Sequence, residues 1–281
     1  MQQLVLNGKE LSKKIEEDLK IKVEKLKKKS GKEATLATII VGDNPASKMY
    51  VKMKGNACER VGINSLKIEL SESSTTEDVL DVIKKLNDDD NVDGILLQHP
   101  VPRQVDERLC FNSIIPTKDV DGVTSAGFGA MAMGEEAFAS ATPLGIVKLL
   151  EYYDVELEGK NVVVIGRSAI LGKPIAMMLL NKNATVTIAH SKTRCLEKIV
   201  KEADIVVACV GKPKFVKKEW LKDGVVIVDA GYNEGNVGDV DLDNATKVAS
   251  AYTPVPGGVG PMTIVSLIEQ TVKSFEKRIN K

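Results

Sequence analysis

The sequence predicts an α/β protein of two domains, each built on a parallel sheet. Short apolar runs alternate with segments of helical periodicity, which is typical of β-α-β units. The alternation occurs in two series, before and after the glycine-rich stretch Gly127 to Gly134, and the length of 281 residues suits two modest domains. We expect a first domain over residues 1–139, a second over 140–261, and a last helix over 262–281 that returns to the first domain.

Composition argues against several classes of protein. The 39 basic and 39 acidic residues balance, whereas a nucleic-acid-binding protein normally has a basic surplus. Four scattered cysteines and two histidines argue against a metal site and for a reducing compartment. The longest uncharged stretch, Val248 to Ile268, is interrupted by prolines and glycines, so it cannot form a membrane-spanning helix. We therefore expect a cytoplasmic protein that binds neither nucleic acid nor membrane.

The first series is marked by turn and capping residues. Asp43 or Asn44 is expected to cap a helix that begins at Pro45 and ends near Val61, before Gly62. The other predicted elements are a helix from Gly8 to Lys29, strands from Ala34 to Val41, Ser65 to Leu70 and Val92 to Leu97, and a helix capped near Thr75 or Thr76.

The second series opens at Thr142-Pro143, where proline suits a first helical turn. It predicts a helix through Tyr153, strands over Asn161 to Ile165, Ala184 to Ala189, Ile205 to Val210 and Val225 to Asp229, a helix after Pro174, and the last helix from about Met262.

The segment VVVIGRSAILGKP indicates a dinucleotide site in the second domain. It places Gly166, Ser168, Gly172 and Pro174 at a strand-to-helix turn, where glycine lets the backbone approach a pyrophosphate and the helix N-terminus offers amide donors. The spacing departs from GxGxxG, so an ordinary tight turn is the alternative. We interpret the domain as Rossmann-like.

The next strand distinguishes the two nicotinamide cofactors. NAD-binding folds usually place a carboxylate here for the ribose hydroxyls. This chain instead has His190-Ser191-Lys192-Thr193-Arg194, without an acid, and hydroxyls and cations suit a 2′-phosphate. Arg167, after the first glycine, adds a guanidinium. The pattern predicts NADP rather than NAD.

The first domain contains the candidate catalytic residues. Ser47, Tyr50 and Lys54 share one face of the predicted helix, and a partly buried lysine can exchange protons near neutral pH. An ordinary amphipathic helix with an extended lysine is the alternative. Short-chain dehydrogenases also use Tyr-x-x-x-Lys, but their pair follows the dinucleotide turn, whereas this one precedes Gly166 by more than 100 residues.

Three further segments suit a ligand. Gln98 follows a strand at the end where α/β sheets bind ligands. One carboxylate of Asp119 and Asp121 can cap a turn, and the other can accept hydrogen bonds from a heterocycle. The segment from Pro254 to Pro261 is dense enough in proline and glycine to line a flat ligand.

Seven segments in order resemble the methylenetetrahydrofolate dehydrogenase/methenyltetrahydrofolate cyclohydrolase family: VGDNPASKMYVKMKGNACERVGI, GILLQHPVP, PTKDVDG, ATPLGIVKLL, GRSAILGKP, ATVTIAHSKT and TPVPGGVGPMT. The resemblance covers the whole chain. It implies an NADP-dependent oxidation of a reduced folate, hydrolysis of the methenyl product to 10-formyltetrahydrofolate, an active-site cleft between the domains, and a homodimer.

The resemblance also implies roles for single residues. Tyr50 would stack on the folate, Lys54 would be the catalytic lysine, Gln98 would assist it, and Asp121 would anchor the pterin. The remaining implied contacts are Ser47, Leu97, His99, Gly257, Gly258 and Pro261 for the substrate, and Gly166, Arg167, Ser168, Ser191, Tyr232 and Thr142 for the cofactor; no metal is implied.

The chain departs from the family pattern at four places. His99 replaces a leucine, Tyr232 an isoleucine and Ala189 a cysteine, and Ser140-Ala141 replaces Pro-Cys. His99 keeps open the alternative of a dehydrogenase with weak or absent hydrolysis. A third hypothesis, a module that senses NADP without turnover, is disfavoured by the presence of Tyr50 and Lys54.

Overall fold

Residues 3–280 are described by a computed structural model, in which the chain forms two compact units. The three-stranded unit comprises Lys13–Ala141 and Ile264–Lys281, and the six-stranded unit comprises Met1–Ser12 and Thr142–Thr263. Both sheets are parallel, as the alternating pattern predicts. In chain order the elements are β1 (Leu4–Val5), α1 (Gly8–Ser30), β2 (Thr35–Val41), α2 (Pro45–Val61), β3 (Asn64–Leu70), α3 (Thr76–Asp88), β4 (Gly94–Leu97), α4 (Glu107–Asn112), α5 (Ser125–Ala132), α6 (Ala141–Tyr152), β5 (Asn161–Ile165), α7 (Gly172–Leu180), β6 (Thr185–Ala189), α8 (Leu196–Lys201), β7 (Ile205–Ala208), β8 (Val225–Asp229), α9 (Leu242–Ala245), β9 (Ala249–Tyr252) and α10 (Val259–Ile279).

The three-stranded sheet has the order β3-β2-β4. The central strand β2 pairs in parallel with both neighbours, and β4 is buried at all four residues. A strand covered on both faces needs apolar side chains throughout, which explains the uninterrupted run Gly94 to Leu97. Ile39, Ile95 and Leu96 are at most 1% exposed and form part of the core.

Local capping explains why α2 begins and ends where the sequence predicts. Asn44 accepts a hydrogen bond from the Ser47 backbone at 3.1 Å, and Pro45 fills the first helical position. Gly62 adopts φ +84°, a left-handed conformation that glycine takes without strain, and donates its N–H to the Cys58 carbonyl at 2.9 Å. The start and end of α2, and with them the position of Lys54, are therefore set by the sequence on either side of the helix.

The six-stranded sheet has the order β1-β9-β8-β7-β5-β6. The order in which successive strands are added reverses at β5, since β6 lies on one side of it and β7 on the other. Such a reversal opens a crevice at the carboxyl ends of the strands, where α/β sheets bind ligands. The same reversal occurs at β2 in the other sheet, between β3 and β4.

Two strands of this sheet are absent from the sequence prediction. β1 has only two residues, and β9 reads Ala-Ser-Ala-Tyr, too poor in large apolar side chains to be recognised. Leu4 pairs with Ala251, so the N-terminal segment belongs to the six-stranded unit, whereas the sequence prediction places it in a domain over 1–139. Pairing with a strand some 250 positions away leaves no local signal.

Several helices also differ from the prediction. The glycine-rich stretch is largely helix α5, which Thr124 caps through the Gly127 backbone at 3.0 Å. Helix α7 begins at Gly172, so Pro174 lies inside its first turn, a position proline tolerates. The short helices α4, α8 and α9 were not predicted, because four to six residues show no helical periodicity.

Helix α10 starts three residues before the predicted Met262 and carries polar side chains into the three-stranded unit. Arg278 Nε lies 2.6 Å from the buried Asp93 carboxylate, and Gln270 Nε2 donates to the Val120 carbonyl at 2.7 Å. Ser274 donates to the Thr117 carbonyl at 2.8 Å. Over residues 3–280, no helix has both the length and the apolarity to cross a membrane.

Candidate functional site

The carboxyl edge of the three-stranded sheet brings together residues from three segments. The chain leaves β2 through the turn that starts α2, and it leaves β4 at Gln98, whose N–H donates to the Ile39 carbonyl at 2.8 Å. This bond places Gln98 beside the central strand, at the reversal of strand order. Lys54 reaches the same point from α2.

Lys54 and Gln98 form a buried polar pair. Lys54 Nζ donates to Gln98 Oε1 at 2.9 Å, and both residues are 8% exposed. Burial lowers the pKa of Lys54, because a low-dielectric surrounding disfavours the ammonium, while Asp121 opposes the shift. The pair thus holds a lysine that can lose its proton, hydrogen-bonded to an uncharged amide.

The two neighbouring aspartates have different roles. Asp119 is 2% exposed and accepts hydrogen bonds from the backbones of Val123 and Thr124, each at 3.0 Å, so it holds the turn. The Asp121 carboxylate receives no hydrogen bond from residues 3–280, so its oxygens can accept from a ligand. Burial raises the pKa of Asp121 to about 6, and nearby Lys54 and His99 counteract part of the rise.

His99 extends the cluster towards the surface. The Gln98 Nε2 atom donates to the His99 carbonyl at 2.6 Å, and His99 Nδ1 lies 2.5 Å from Glu107 Oε1. The imidazole is about half exposed. The sequence prediction includes His99 but not Glu107, since an isolated glutamate eight residues downstream carries no motif.

Three other predicted substrate residues lie around this edge. Ser47 is 4% exposed and Tyr50 is half-buried, both on the face of α2 that carries Lys54. Leu97 ends β4 and is 1% exposed, so its side chain belongs to the core. The predicted role of Leu97 in binding therefore rests on its backbone.

The carboxyl edge of the six-stranded sheet has a tightly packed glycine turn. Gly166 N–H donates to the Ala189 carbonyl at 2.9 Å, which joins the ends of β5 and β6. Gly166 adopts φ +133°, and a Cβ there would lie 2.4 Å from the Cys209 carbonyl oxygen. A Cβ on Gly172 would lie 2.4 Å from the Gly166 carbonyl oxygen, so only glycine allows the turn and α7 to approach this closely.

The predicted phosphate-binding side chains are exposed at this edge. Arg167 and Ser168 follow β5, and Ser191 follows the adjacent β6. Because Ile165 and Ala189 are register partners, the residues after them leave neighbouring strands at the same edge. Ser168 Oγ also accepts from the Gly172 backbone at 3.2 Å, which caps the first turn of α7.

A carboxylate pair that the sequence prediction missed supports the loops beyond β7 and β8. Asp239 accepts hydrogen bonds from the backbones of Val210, Gly211 and Lys212 at 2.6–2.9 Å. Asp229 accepts from three further backbone groups, including that of Asp239 at 2.9 Å, and burial raises its pKa to about 6. These bonds join segments that are distant in sequence, so no motif signals them.

The remaining predicted residues lie in the six-stranded unit. Tyr232 is 49% exposed, and its hydroxyl donates to Asn236 Oδ1 at 2.7 Å. Thr142 lies in the first turn of α6 and accepts from Thr263 Oγ1 at 3.0 Å. Gly257 and Gly258 form the turn before α10, and Pro261 lies in its first turn. All five of these residues belong to the six-stranded unit, whereas Lys54 belongs to the three-stranded unit.

Within the described residues, no group of histidine, cysteine, aspartate and glutamate side chains is arranged to hold a metal ion. The groups at the carboxyl edges of the two sheets are hydrogen-bonding, cationic and titratable side chains.

Comparison with known proteins accounts for both edges. Residues 6–121 match the family described as "Tetrahydrofolate dehydrogenase/cyclohydrolase, catalytic domain", and residues 140–279 match "Tetrahydrofolate dehydrogenase/cyclohydrolase, NAD(P)-binding domain". The chain belongs to the tetrahydrofolate dehydrogenase/cyclohydrolase family. The Lys54 cluster lies in the part that matches the family's catalytic domain, and the glycine turn lies in the part that matches its nucleotide-binding domain.

Individual relatives match this chain over almost its full length and theirs. The chain is 62% identical to the bifunctional protein FolD of Cellvibrio japonicus over 99% of this chain and all of that protein. Its structure resembles that of the bifunctional FolD enzyme of Campylobacter jejuni, with a TM-score of 0.96, 47% identity and coverage of 99% and 100%. It also resembles the Trypanosoma brucei FolD complexed with NADP and an inhibitor, with a TM-score of 0.96, 33% identity and full coverage of both chains.

Proposed function

We propose that this protein is a bifunctional one-carbon folate enzyme. It oxidises methylenetetrahydrofolate with NADP and hydrolyses the resulting methenyltetrahydrofolate to 10-formyltetrahydrofolate. The observation that carries the proposal is the buried Lys54–Gln98 pair, 2.9 Å apart, with the unpaired carboxylate of Asp121 close enough to affect the lysine. Family membership supplies the substrate class.

The substrate residues of the proposal bind and orient the reduced folate. Asp121 accepts hydrogen bonds from the amino and ring N–H groups of the pterin, because its carboxylate has no competing donor. Tyr50 stacks on the planar part of the ligand, an arrangement that its half-buried position on α2 supports. Ser47 lies one turn before Tyr50 and supplies a hydroxyl.

The hydrolytic step uses Lys54 as the base. Water attacks the methenyl carbon, and Lys54 in its neutral form takes one of the water protons. The bond from this carbon to N5 then breaks, the remaining hydroxyl proton passes to N5, and the carbonyl of the 10-formyl product forms. Its lowered pKa supports this role, and the positive charge of the methenyl group further favours the neutral amine. Gln98 orients Lys54 through the 2.9 Å hydrogen bond. The Gln98 side chain is an uncharged amide and cannot itself act as the base.

The proposed NADP site fits the residues at the edge of the six-stranded sheet. When bound, NADP would supply the acceptor for the hydride that leaves the methylene carbon. The close packing at Gly166 and Gly172 leaves the turn free of side chains where a pyrophosphate would lie. Arg167 and Ser191 supply a cation and a hydroxyl for the 2′-phosphate, and residues 190–194 include no acid to repel it.

The oligomeric state and the location in the cell belong to the same proposal. We propose that the enzyme is a homodimer, as the family resemblance implies, and that it acts in the cytoplasm, as its scattered cysteines suggest. Sedimentation at micromolar concentration tests the dimer, since a monomer would sediment at 30.4 kDa.

The decisive experiment follows two signals from one reaction. Purified protein is mixed with methylenetetrahydrofolate and NADP or NAD, and reduced nicotinamide and methenyltetrahydrofolate are measured separately, before and after acid quench. We expect reduction with NADP and no accumulation of methenyl product before the quench. Accumulation would indicate a dehydrogenase with slow hydrolysis, and the absence of reduction with either cofactor would contradict the proposal.

A further inference from the structure

The turn after β4 is held by a residue outside the proposed active site. His99 Nδ1 lies 2.5 Å from Glu107 Oε1, and because a carboxylate can only accept, Nδ1 carries the hydrogen. The Val101 backbone N–H also lies near this carboxylate. Glu107 therefore holds the turn through the side chain of residue 99 and lies beside the backbone of residue 101.

This turn orients the Gln98 amide. Gln98 Nε2 donates to the His99 carbonyl at 2.6 Å, which leaves Oε1 directed at Lys54 Nζ. The two polar atoms belong to one planar group, so loss of the first bond frees the amide to rotate. A rotated amide would turn its N–H₂ towards the lysine, where the ammonium has no acceptor. The position of the His99 carbonyl thus decides whether Lys54 has a hydrogen-bond partner.

Glu107 is better anchored than the turn that it holds. It is the first residue of α4, whose N-cap Asp106 donates its backbone N–H to Thr76 Oγ1 at 2.9 Å. Pro100 and Pro102 in the turn have no N–H, so the backbone there has fewer donors of its own. We therefore infer that the contact from Glu107 on α4 fixes the position of the turn, and that the turn does not fix the position of Glu107.

We propose that Glu107 is a positioning residue for the hydrolytic step and acts through His99 and Gln98 on Lys54. The inference rests on the proposed function, because it concerns the lysine of that reaction. Two further charged groups lie near the pair: Arg108 is close to Glu107, and Asp121 is close to both His99 and Lys54. Removal of the Glu107 charge therefore also alters the electrostatic surroundings of the reacting groups.

The first test compares two charge-removing variants of the same unit. Glu107→Gln keeps the shape of the side chain, and Glu136→Gln is the matched control, because Glu136 pairs with Lys273 and Lys277 and has no link to Gln98. Hydrolysis of methenyltetrahydrofolate is measured over a pH series, together with the dehydrogenase rate and NADP binding. We expect Glu107→Gln to lower the hydrolytic kcat about three- to fivefold, the range for the loss of one hydrogen bond, and to shift its pH profile. KM, the dehydrogenase rate and NADP binding should change less than about twofold, and Glu136→Gln should match wild type.

A double-mutant cycle tests whether the effect passes through His99. His99→Ala should lower hydrolysis in the same way, and Glu107→Gln should have little further effect in that background. Equal losses in both backgrounds, or a wild-type rate and pH profile in Glu107→Gln, would overturn the inference. If Glu107→Gln does not fold, His99→Ala decides alone, and an unchanged hydrolytic kcat in it overturns the inference. If the wild-type enzyme does not hydrolyse methenyltetrahydrofolate, the proposed function itself is contradicted. If the wild type is active and Glu107→Gln hydrolyses at the same rate, only this inference is contradicted.

Discussion

The two units place their candidate ligand residues at equivalent positions but build them from different groups. In each sheet the residues lie at the carboxyl edge beside the strand where the order reverses, β2 in one and β5 in the other. The three-stranded unit uses a buried, titratable pair, Lys54 and Gln98. The six-stranded unit uses backbone shape at Gly166 with exposed side chains around it.

This difference separates chemistry from recognition. Burial lowers the pKa of Lys54 and raises that of Asp121 to about 6, so the edge of the three-stranded sheet holds side chains whose protonation the protein has changed. Exposed groups such as Arg167 and Ser191 keep their solvent contact and contribute contacts and charge. Substitutions in the first group should therefore change catalytic rates and pH dependence, and those in the second should change cofactor affinity.

The largest expected effect comes from Lys54→Met. Loss of a general base typically costs 10²–10⁴-fold, so we expect at least about a 100-fold drop in methenyltetrahydrofolate hydrolysis. NADP binding should stay within twofold of wild type, because Lys54 does not belong to the six-stranded unit. Lys52→Met is the matched control, since Lys52 is exposed on the same helix. Hydrolysis that persists in Lys54→Met would contradict the assignment of catalysis to the three-stranded unit.

Asp121→Asn should have the next largest effect. A lost charge-assisted hydrogen bond is worth about 1.5–3 kcal/mol, so kcat/KM for the folate should fall roughly 10- to 100-fold, mainly through KM. In wild type, KM should rise as the pH falls below about 6, because the Asp121 carboxylate becomes protonated and loses acceptor capacity. Steady-state kinetics from pH 5 to 8 test both expectations, and a KM independent of pH would count against this role.

Ser191→Asp should change cofactor choice. The new carboxylate repels a 2′-phosphate and can bind ribose hydroxyls, so NADP affinity should fall about tenfold while NAD binding improves. Thr185→Asp adds the same charge at the opposite end of β6, where Thr185 is exposed, and should leave the preference unchanged. Titration of both variants with each cofactor gives the ratio directly. An equal loss for both cofactors would contradict a phosphate site at Ser191.

Asp119→Asn should affect stability and not chemistry. Asp119 accepts two backbone hydrogen bonds while buried, so the variant should lose about 1–3 kcal/mol of the free energy of unfolding. Its hydrolytic kcat should remain within about twofold of wild type at a temperature where it is folded. Denaturant unfolding of Asp119→Asn and Asp121→Asn side by side tests the contrast. A stable Asp119→Asn with a large loss of activity would reverse the assignment of the two carboxylates.

Much of the fold and of both edges follows from local sequence. The alternation of apolar runs and helical segments predicts the parallel sheets, and Asn44, Pro45 and Gly62 predict the bounds of α2. Lys54 and Gln98 are identified because helix spacing and strand ends can be read locally. Local spacing leaves the choice between Asp119 and Asp121 open, and the family resemblance favours Asp121 for the ligand. The backbone groups that Asp119 binds give a physical reason for that choice.

The elements that escape prediction depend on distant partners. Strand β1 exists because Leu4 meets Ala251, and the Asp229–Asp239 pair acts on loops that leave different strands. Glu107 has no distinctive sequence context, and its contact with His99 depends on where the turn after β4 meets α4. Such contacts form only when the sheet brings remote segments together.

The central claim, that a buried neutral Lys54 is the base for hydrolysis, is tested most directly by the pH dependence of that step. The initial rate of methenyltetrahydrofolate hydrolysis is measured without NADP, and the uncatalysed rate at each pH is subtracted. We expect the kcat of wild type to rise with pH through a single ionisation below the ordinary lysine value, because burial lowers the pKa of Lys54. A kcat independent of pH, or the same ionisation in Lys54→Met, would contradict the claim.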